Sequence, residues 1–234
     1  MSALPDPPCT DTCVLCSGGL DSVVLLAWAA GGAPVHPVYV RAGLAWEPQE
    51  LLALGQILDA PPLAGRVRPL TLLDLDVRDL YPPGHWAVRG QPPAYDTPDE
   101  DVFLPGRNVL LLAKAAVLAI SRGVGTLAIG PLAGNPFPDA TPEFFDAMGR
   151  ALSLGLAHGV QVVAPFAMLH KADVIRVGAA LGVPLERTLS CMNPRDGMHC
   201  GLCSKCRERR DAFAEAGIED RTRYRSPSPR TSRS

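Results

Sequence analysis

Residues 13–22 read CVLCSGGLDS, and the fold of the chain turns on how they are parsed. Counted back to Cys9, the cysteines fall as C-x-x-x-C-x-x-C, a spacing that could serve three irons of an iron–sulfur cluster. Counted forward, SGGLDS is a glycine-rich turn between a short apolar run and the helical pattern LDSVVLLAWAA, which suits a phosphate. Strand alternation sends Cys13 and Cys16 to opposite faces, so three thiolates do not converge and these two read as small core hydrophobes. Gly18 and Gly19 permit positive φ and leave room for an anion against the backbone. The first N–H groups of the helix then point at that anion with the helix dipole behind them. Ser17 and Ser22 add hydroxyls. Asp21 is the odd member, because a bare carboxylate repels phosphate; it fits if Mg²⁺ rides with the nucleotide, or if it accepts N–H bonds that shape the turn. A plain capped loop is the simpler alternative. The Walker pattern G-x-x-x-x-G-K-[ST] occurs nowhere in the chain.

Outward from this turn, apolar β-branched runs (CVLC, PVHPVYV, VRPLTLLDL, TLAIG, VQVVAPF) alternate with helical patterns over 21–30, 47–59, 107–122, 142–157 and 170–181. Alternation of this kind predicts an α/β fold, a doubly wound parallel sheet covered on both faces by helices. Ligands in such sheets bind beyond the carboxyl ends of the strands. Residues 82–106 carry six prolines and little periodicity, as functional or disordered loops do. The organisation expected is an N-terminal extension (1–12), the sheet domain (13–189), a cysteine-rich region (190–224) and a disordered tail (225–234).

The whole chain has 234 residues, 47% hydrophobic and 20% charged, with a net charge of −2. That balance gives no reason to expect non-specific nucleic-acid binding. No apolar run approaches a membrane span and the N-terminus has no signal-peptide pattern. A cytoplasmic setting with reduced thiols is therefore expected, and seven cysteines clustered at two ends argue for metal or catalysis over disulfides.

The second cluster, CMNPRDGMHCGLCSKC, spaces Cys191, Cys200, Cys203 and Cys206 as C-x8-C-x2-C-x2-C. Four thiolates close a tetrahedral shell, which predicts one structural zinc in a small helical appendage. His199, next to Cys200, reads as a neighbour of the site. Arg207, Arg209 and Arg210 read as a solvated face of the last helix.

Between the two motifs, Arg107 and Asn108 open a helix where they could face phosphate or carboxylate, or simply cap the helix and meet water. Lys171 opens the helix after the last strand, where a point charge could meet the β/γ-phosphates, the alternative being an exposed helix lysine. Asp139 is either a Mg²⁺ or substrate ligand or a turn-stabilising side chain. Trp28, Phe144 and Phe145 read as core, and Trp46 and Trp86 as packing residues that could stack a purine-like ring.

The order S-G-G-x-D-S resembles the PP-loop of the ATP pyrophosphatases. Together with PGRN at 105–108, PDATPEFF at 138–145, PFAMLHKADVIRVGAALGVPLERTLSC at 165–191 and HCGLCSKCRERRDAFAEAG at 199–217, it resembles the 7-cyano-7-deazaguanine synthase (QueC) family of queuosine biosynthesis. The resemblance implies a PP-loop/HUP-like sheet and ATP-dependent conversion of a 7-deazapurine carboxylate and ammonia to a nitrile through an acyl adenylate. It implies phosphate binding by Ser17, Gly18, Gly19, Asp21 and Ser22, and zinc on the four cysteines. With Cys16 and Leu20 flanking the loop, and with Arg107, Asn108, Asp139 and Lys171, these make up the expected nucleotide-binding set. Asp21, Arg107 and Lys171 are the catalytic candidates. ATP as substrate, Mg²⁺, free or partner-supplied ammonia and a homodimer fit this reading; a membrane or nucleic-acid partner does not. The chain departs from the family's pattern at RAGLAWEPQ (41–49), at Asp139-Ala140-Thr141 and at Met192. Adenylation of a different carboxylate, and thiolation through Cys9 or Cys16, are the rival enzyme readings, and a nucleic-acid-binding zinc module is the non-enzymatic one.

Overall fold

The computed structural model describes residues 4–227. Residues 228–234 of the expected tail lie outside the described residues. Five short strands form one parallel sheet: β1 (Thr12–Leu15), β2 (Val35–Arg41), β3 (Thr71–Asp74), β4 (Thr126–Ala128) and β5 (Gln161–Val163), in the order β3-β2-β1-β4-β5. The order reverses between β1 and β4, so the loops after those two strands diverge and leave a crevice at their carboxyl ends. β1 is buried along its whole length, as the doubly covered centre of a parallel sheet must be.

The helices are α1 (Leu20–Ala29), α2 (Glu47–Leu58), α3 (Trp86–Arg89), α4 (Arg107–Ser121), α5 (Pro142–Leu156), α6 (Lys171–Ala180) and α7 (Ser204–Ala216). On one side α1 packs with Phe166, Val174 and Ile175; on the other, Leu112, Ala115, Ala116 and Ala119 of α4 meet Phe145 of α5. Cys13 falls in the second cluster, while Cys16 packs with Tyr39 and Leu54. Strand alternation separates the two thiols as expected, and burial pushes them up to about 11 and about 12. All five helices expected of the sheet domain begin and end within a residue of their sequence-based limits.

Three features correct or extend the sequence reading. The proline-rich segment 82–106 is built: it holds α3 and a 3₁₀ turn at Asp99–Val102, and Arg207 donates to the carbonyls of Tyr95 and Thr97. Among the described residues of the expected N-terminal extension, Pro5 accepts a hydrogen bond from the Trp28 indole and Leu4 packs on the core. The arginines of α7 are not a solvated face. Arg209 is fully buried and donates to Thr222 Oγ1 (2.8 Å), Thr188 Oγ1 (2.9 Å), Ser190 Oγ (3.0 Å) and Leu185 O (2.6 Å). Arg210 lies 3.9 Å over the ring of Tyr224. Composition alone marks such a run as surface; its planar five-donor fork makes arginine the cation that neutral acceptors can satisfy inside. Ala212 and Phe213 place α7 in the main core beside α1, so the cysteine-rich end is packed onto the sheet domain.

Candidate active site

The turn after β1 is held by its own side chains. Ser22 Oγ accepts from the Ser17 amide (3.1 Å) and donates to the Gly19 carbonyl (3.0 Å), and the Gly19 amide reaches Ser17 Oγ (3.3 Å). The two glycines differ in purpose. Gly18 has φ +77°, and a Cβ on it would meet the Glu50 carbonyl oxygen at 2.8 Å, so it lets α2 approach the turn. Gly19 has φ −69°, precedes α1 and lines the crevice. The sequence reading gave both glycines to the anion; only Gly19 presents its backbone there. Cys16 and Leu20 are buried in the core clusters and also line the inner and outer lobes respectively.

The crevice has two adjoining lobes, of about 260 and 570 Å³, with Ser17, Gly19, Asp21, Glu50 and Arg107 in the wall common to both. The inner lobe is bounded by the ends of β1, β2 and β4 and by Phe103 stacked on Phe137 (4.9 Å). The outer lobe carries Lys171, Lys205, Arg207 and Glu208 together with Trp46, Trp86 and Met192. Trp46 and Trp86 stack on each other at 5.6 Å and 11°.

Lys171 is no exposed helix lysine. Its ammonium lies 3.1 Å from Asp21 Oδ2 and 2.6 Å from Glu208 Oε1, and Glu208 Oε2 takes Lys205 at 2.6 Å. Burial works against the Lys171 charge, but the two carboxylates outweigh it and hold its pKa above the ordinary lysine value. Burial likewise opposes ionised Glu208, yet Lys171 and Lys205 hold it down at about 2. Asp21 is therefore paired with the Lys171 ammonium, a partner the sequence reading did not weigh beside Mg²⁺ and the turn amides. Its second oxygen, Oδ1, is buried without a hydrogen-bond partner among the described residues, as is Arg107 Nε. Asp139 accepts the Asn108 amide (3.0 Å), and its own carbonyl takes Asn108 Nδ2 (2.8 Å). Asp139 and Asn108 thus lock the start of α4, and Arg107 faces the crevice.

Sequence reasoning missed Glu50 and Glu208. Glu50 shares one side of α2 with buried Leu54 and Ile57 at helical spacing, a signal that an acid points inward. Glu208 lies within a charge run and no pattern distinguishes it.

The Sγ atoms of Cys191, Cys200, Cys203 and Cys206 lie within 4.8 Å of one another, all buried. Cys203 and Cys206 are 3.5 Å apart and Cys200 and Cys206 3.9 Å, against about 3.8 Å for sulfurs on a tetrahedral ion with Zn–S near 2.3 Å. The amides of Asn193 and Cys200 donate to Cys191 Sγ, and that of Leu202 to Cys200 Sγ, which favours thiolates. An all-sulfur buried set fits zinc. His199 is outside it: Nε2 accepts the Ser190 amide (3.1 Å), and burial, seconded by Arg209, lowers its pKa to about 3.

A profile of the queuosine biosynthesis protein QueC family matches residues 11–217. The chain belongs to the QueC family. It is 35% identical over 228 residues to the 7-cyano-7-deazaguanine synthase of Methanopyrus kandleri, covering 91% of this chain and 98% of that one. It is 34% identical over 234 residues to the Magnetococcus marinus protein of the same name, covering 94% and 100%. Of the positions expected to depart from the family's pattern, Trp46 and Met192 line the outer lobe, whereas Ala140 and Thr141 line neither lobe. Cys16, the cysteine nearest the turn, is buried with its thiol on the Val38 carbonyl (3.7 Å), and Cys9 is exposed and absent from both lobes. Of the two, Cys16 alone lines the crevice, in the inner lobe.

Proposed function

We propose that this protein converts 7-carboxy-7-deazaguanine, ammonia and ATP to 7-cyano-7-deazaguanine. The observation that carries this reading is the meeting of two distant motifs in one crevice: Lys171 bonds Asp21 of the glycine turn and Glu208 of the helix that grows out of the cysteine cluster. The substrate carboxylate attacks the α-phosphorus of ATP, and pyrophosphate leaves to give an acyl adenylate. Ammonia displaces AMP to form an amide. A second ATP activates the amide oxygen, and loss of AMP leaves the nitrile.

The residues supply position and charge. The Gly19 backbone at the start of α1 and the ammonium of Lys171 face the phosphates; Arg107 spans both lobes and reaches α-phosphate or carboxylate; Asn108 and Asp139 hold Arg107 in place. The apolar inner lobe takes the nucleotide base and the outer lobe, walled by Trp86, Met192 and Leu189, takes the flat deazapurine. Asp21 Oδ1, a buried acceptor with no donor among the described residues, suits Mg²⁺ arriving with ATP. The ion would neutralise charge on departing pyrophosphate. Zinc on the four cysteines is structural, holding α7 and hence Glu208.

The test is product mass and AMP after incubation with ATP, Mg²⁺, ammonium and 7-carboxy-7-deazaguanine. Asp21→Ala is expected to abolish AMP formation and leave zinc content intact. Full pyrophosphate release by that variant removes the loop from the mechanism.

A further inference from the structure

Amide formation needs ammonia with a free lone pair, whereas at neutral pH the dissolved species is ammonium. Some group beside the adenylate must take a proton. Six carboxylates line the two lobes. Asp21 is bound to Lys171 and Glu208 to two lysines; Asp139 caps α4; Asp211 and Glu215 stand exposed on the rim. The sixth is Glu50, 7% exposed, in the wall shared by the nucleotide and carboxylate lobes, with no lysine or arginine ion-paired to it among the described residues.

We propose that Glu50 is the general base that turns ammonium into the attacking ammonia. The inference rests on the amide-forming reaction proposed above. Tyr39 donates to Glu50 Oε2 at 2.8 Å and the Trp46 side chain also hydrogen-bonds the carboxyl, which fixes its rotamer; a carboxylate still has lone pairs to spare for ammonium. The groups facing it are Tyr39 on β2, Arg107 on α4, Cys16 at the end of β1, and Trp46 and Glu47 from its own helix. Burial raises its pKa most, Arg107 and the Tyr39 hydrogen bond oppose, and the balance is about 7, matched to proton abstraction near neutrality. Tyr39 itself is pushed well above the ordinary phenol value by burial and by Glu50, so it stays a donor.

The step balances. Glu50 takes one proton from ammonium and becomes a carboxylic acid. The nitrogen lone pair attacks the acyl carbon, the carbon–oxygen bond to phosphate breaks, and AMP departs with that electron pair. The surplus proton on nitrogen leaves with the AMP phosphate, and Glu50 returns its own to water through the open crevice.

Glu50→Gln keeps the size of the side chain and an acceptor for Tyr39. In the zinc-loaded full chain, ATP–pyrophosphate exchange with 7-carboxy-7-deazaguanine should stay within about twofold of the unmutated protein, while ammonium-driven AMP release falls about 100-fold or more. Hydroxylamine, already unprotonated at neutral pH, should drive AMP release equally in both. Equal loss with both amines makes Glu50 structural and overturns the proposal, as does an undiminished ammonium rate. Absence of exchange in the unmutated protein sinks the proposed function instead. Independently of any variant, the unmutated rate at fixed total ammonium should level off above about pH 7; a rate that climbs on into the alkaline range, following dissolved ammonia, also overturns the proposal.

Discussion

The two glycines of the turn should fail in different ways when each gains a methyl group. Gly18→Ala puts an L-residue at φ +77°, which costs about 1–2 kcal/mol. It also drives a Cβ to 2.8 Å from the Glu50 carbonyl oxygen and 3.3 Å from Leu54 Cβ. Both neighbours lie on the buried face of a helix that cannot swing aside as a side chain can, so overpacking adds about 1–3 kcal/mol. The Gly18 carbonyl takes the Leu189 amide at 2.8 Å, so relief by moving the turn strains that bond instead. The sum, about 2–5 kcal/mol, lowers Tm by roughly 4–20 °C in a chain of this size. Gly19→Ala has an ordinary φ of −69° and brings its Cβ 3.1 Å from Ser17 Oγ, a hydroxyl that can rotate away. Its stability cost, mostly a poorer N-cap, should stay below about 1 kcal/mol. Yet the methyl stands where phosphate must touch backbone, and KM for ATP should rise about tenfold or more, the loss of one good hydrogen bond to a charged group. Melting curves at saturating zinc and initial rates of pyrophosphate exchange separate the two. If Gly19→Ala melts as early as Gly18→Ala, or Gly18→Ala melts with the unmutated protein, the assignment of one glycine to packing and the other to the ligand is wrong.

Stripping the metal with a strong chelator should loosen the segment from Cys191 to Cys206, open Arg195 and Lys205 to trypsin, and raise KM for ATP through loss of Glu208; limited proteolysis with exchange kinetics checks this, and an unchanged KM in the metal-free protein counts against it. Glu50 makes stability fall with pH. Its carboxyl is raised from about 4.5 unfolded to about 7 folded, so the folded state binds the extra proton between those values; the contribution is whole below about pH 4.5 and gone above about pH 7. The loss is at most about 3 kcal/mol, and denaturant titrations of the unmutated protein and Glu50→Gln from pH 4.5 to 8 should show that slope in the former alone.

The sheet was legible because its signals are local and repeated. Each apolar run and each helical pattern carries its own period, and a parallel arrangement follows from their alternation. Both ligand motifs were legible for the same reason, since spacing within ten or sixteen residues encodes a turn or a four-thiol shell. What stayed hidden is made by tertiary contact. Nothing near Lys171 announces Asp21, 150 positions away, and the RERR run gives no sign that Arg209 is fully buried among hydroxyls while Arg207 pins a distant loop. Nor does the sequence show that Gly18 serves the approach of α2, because a glycine needed for helix approach and a glycine needed for an anion look alike until the neighbours are placed.

The chain of contacts from metal to nucleotide decides how the cysteine-rich end should be regarded. α7 starts within the cluster: Cys203 precedes its first residue and Cys206 lies in its first turn. Two residues on, Glu208 grips Lys171, and Lys171 grips Asp21 at the start of α1. One residue further, Arg209 ties the same turn of α7 to Leu185, Thr188 and Ser190, the segment leading to Cys191. A metal ion held by the four cysteines would therefore fix the phase of a helix whose next turn sets the charge at the glycine turn. A rotation of α7 by one residue, about 100°, would carry Glu208 off Lys171 and leave that lysine half-paired beside Asp21. On the proposed reading, zinc on the four cysteines would act at a distance on ATP affinity by holding a helix in register, and the two motifs at the ends of the sequence would be parts of one site.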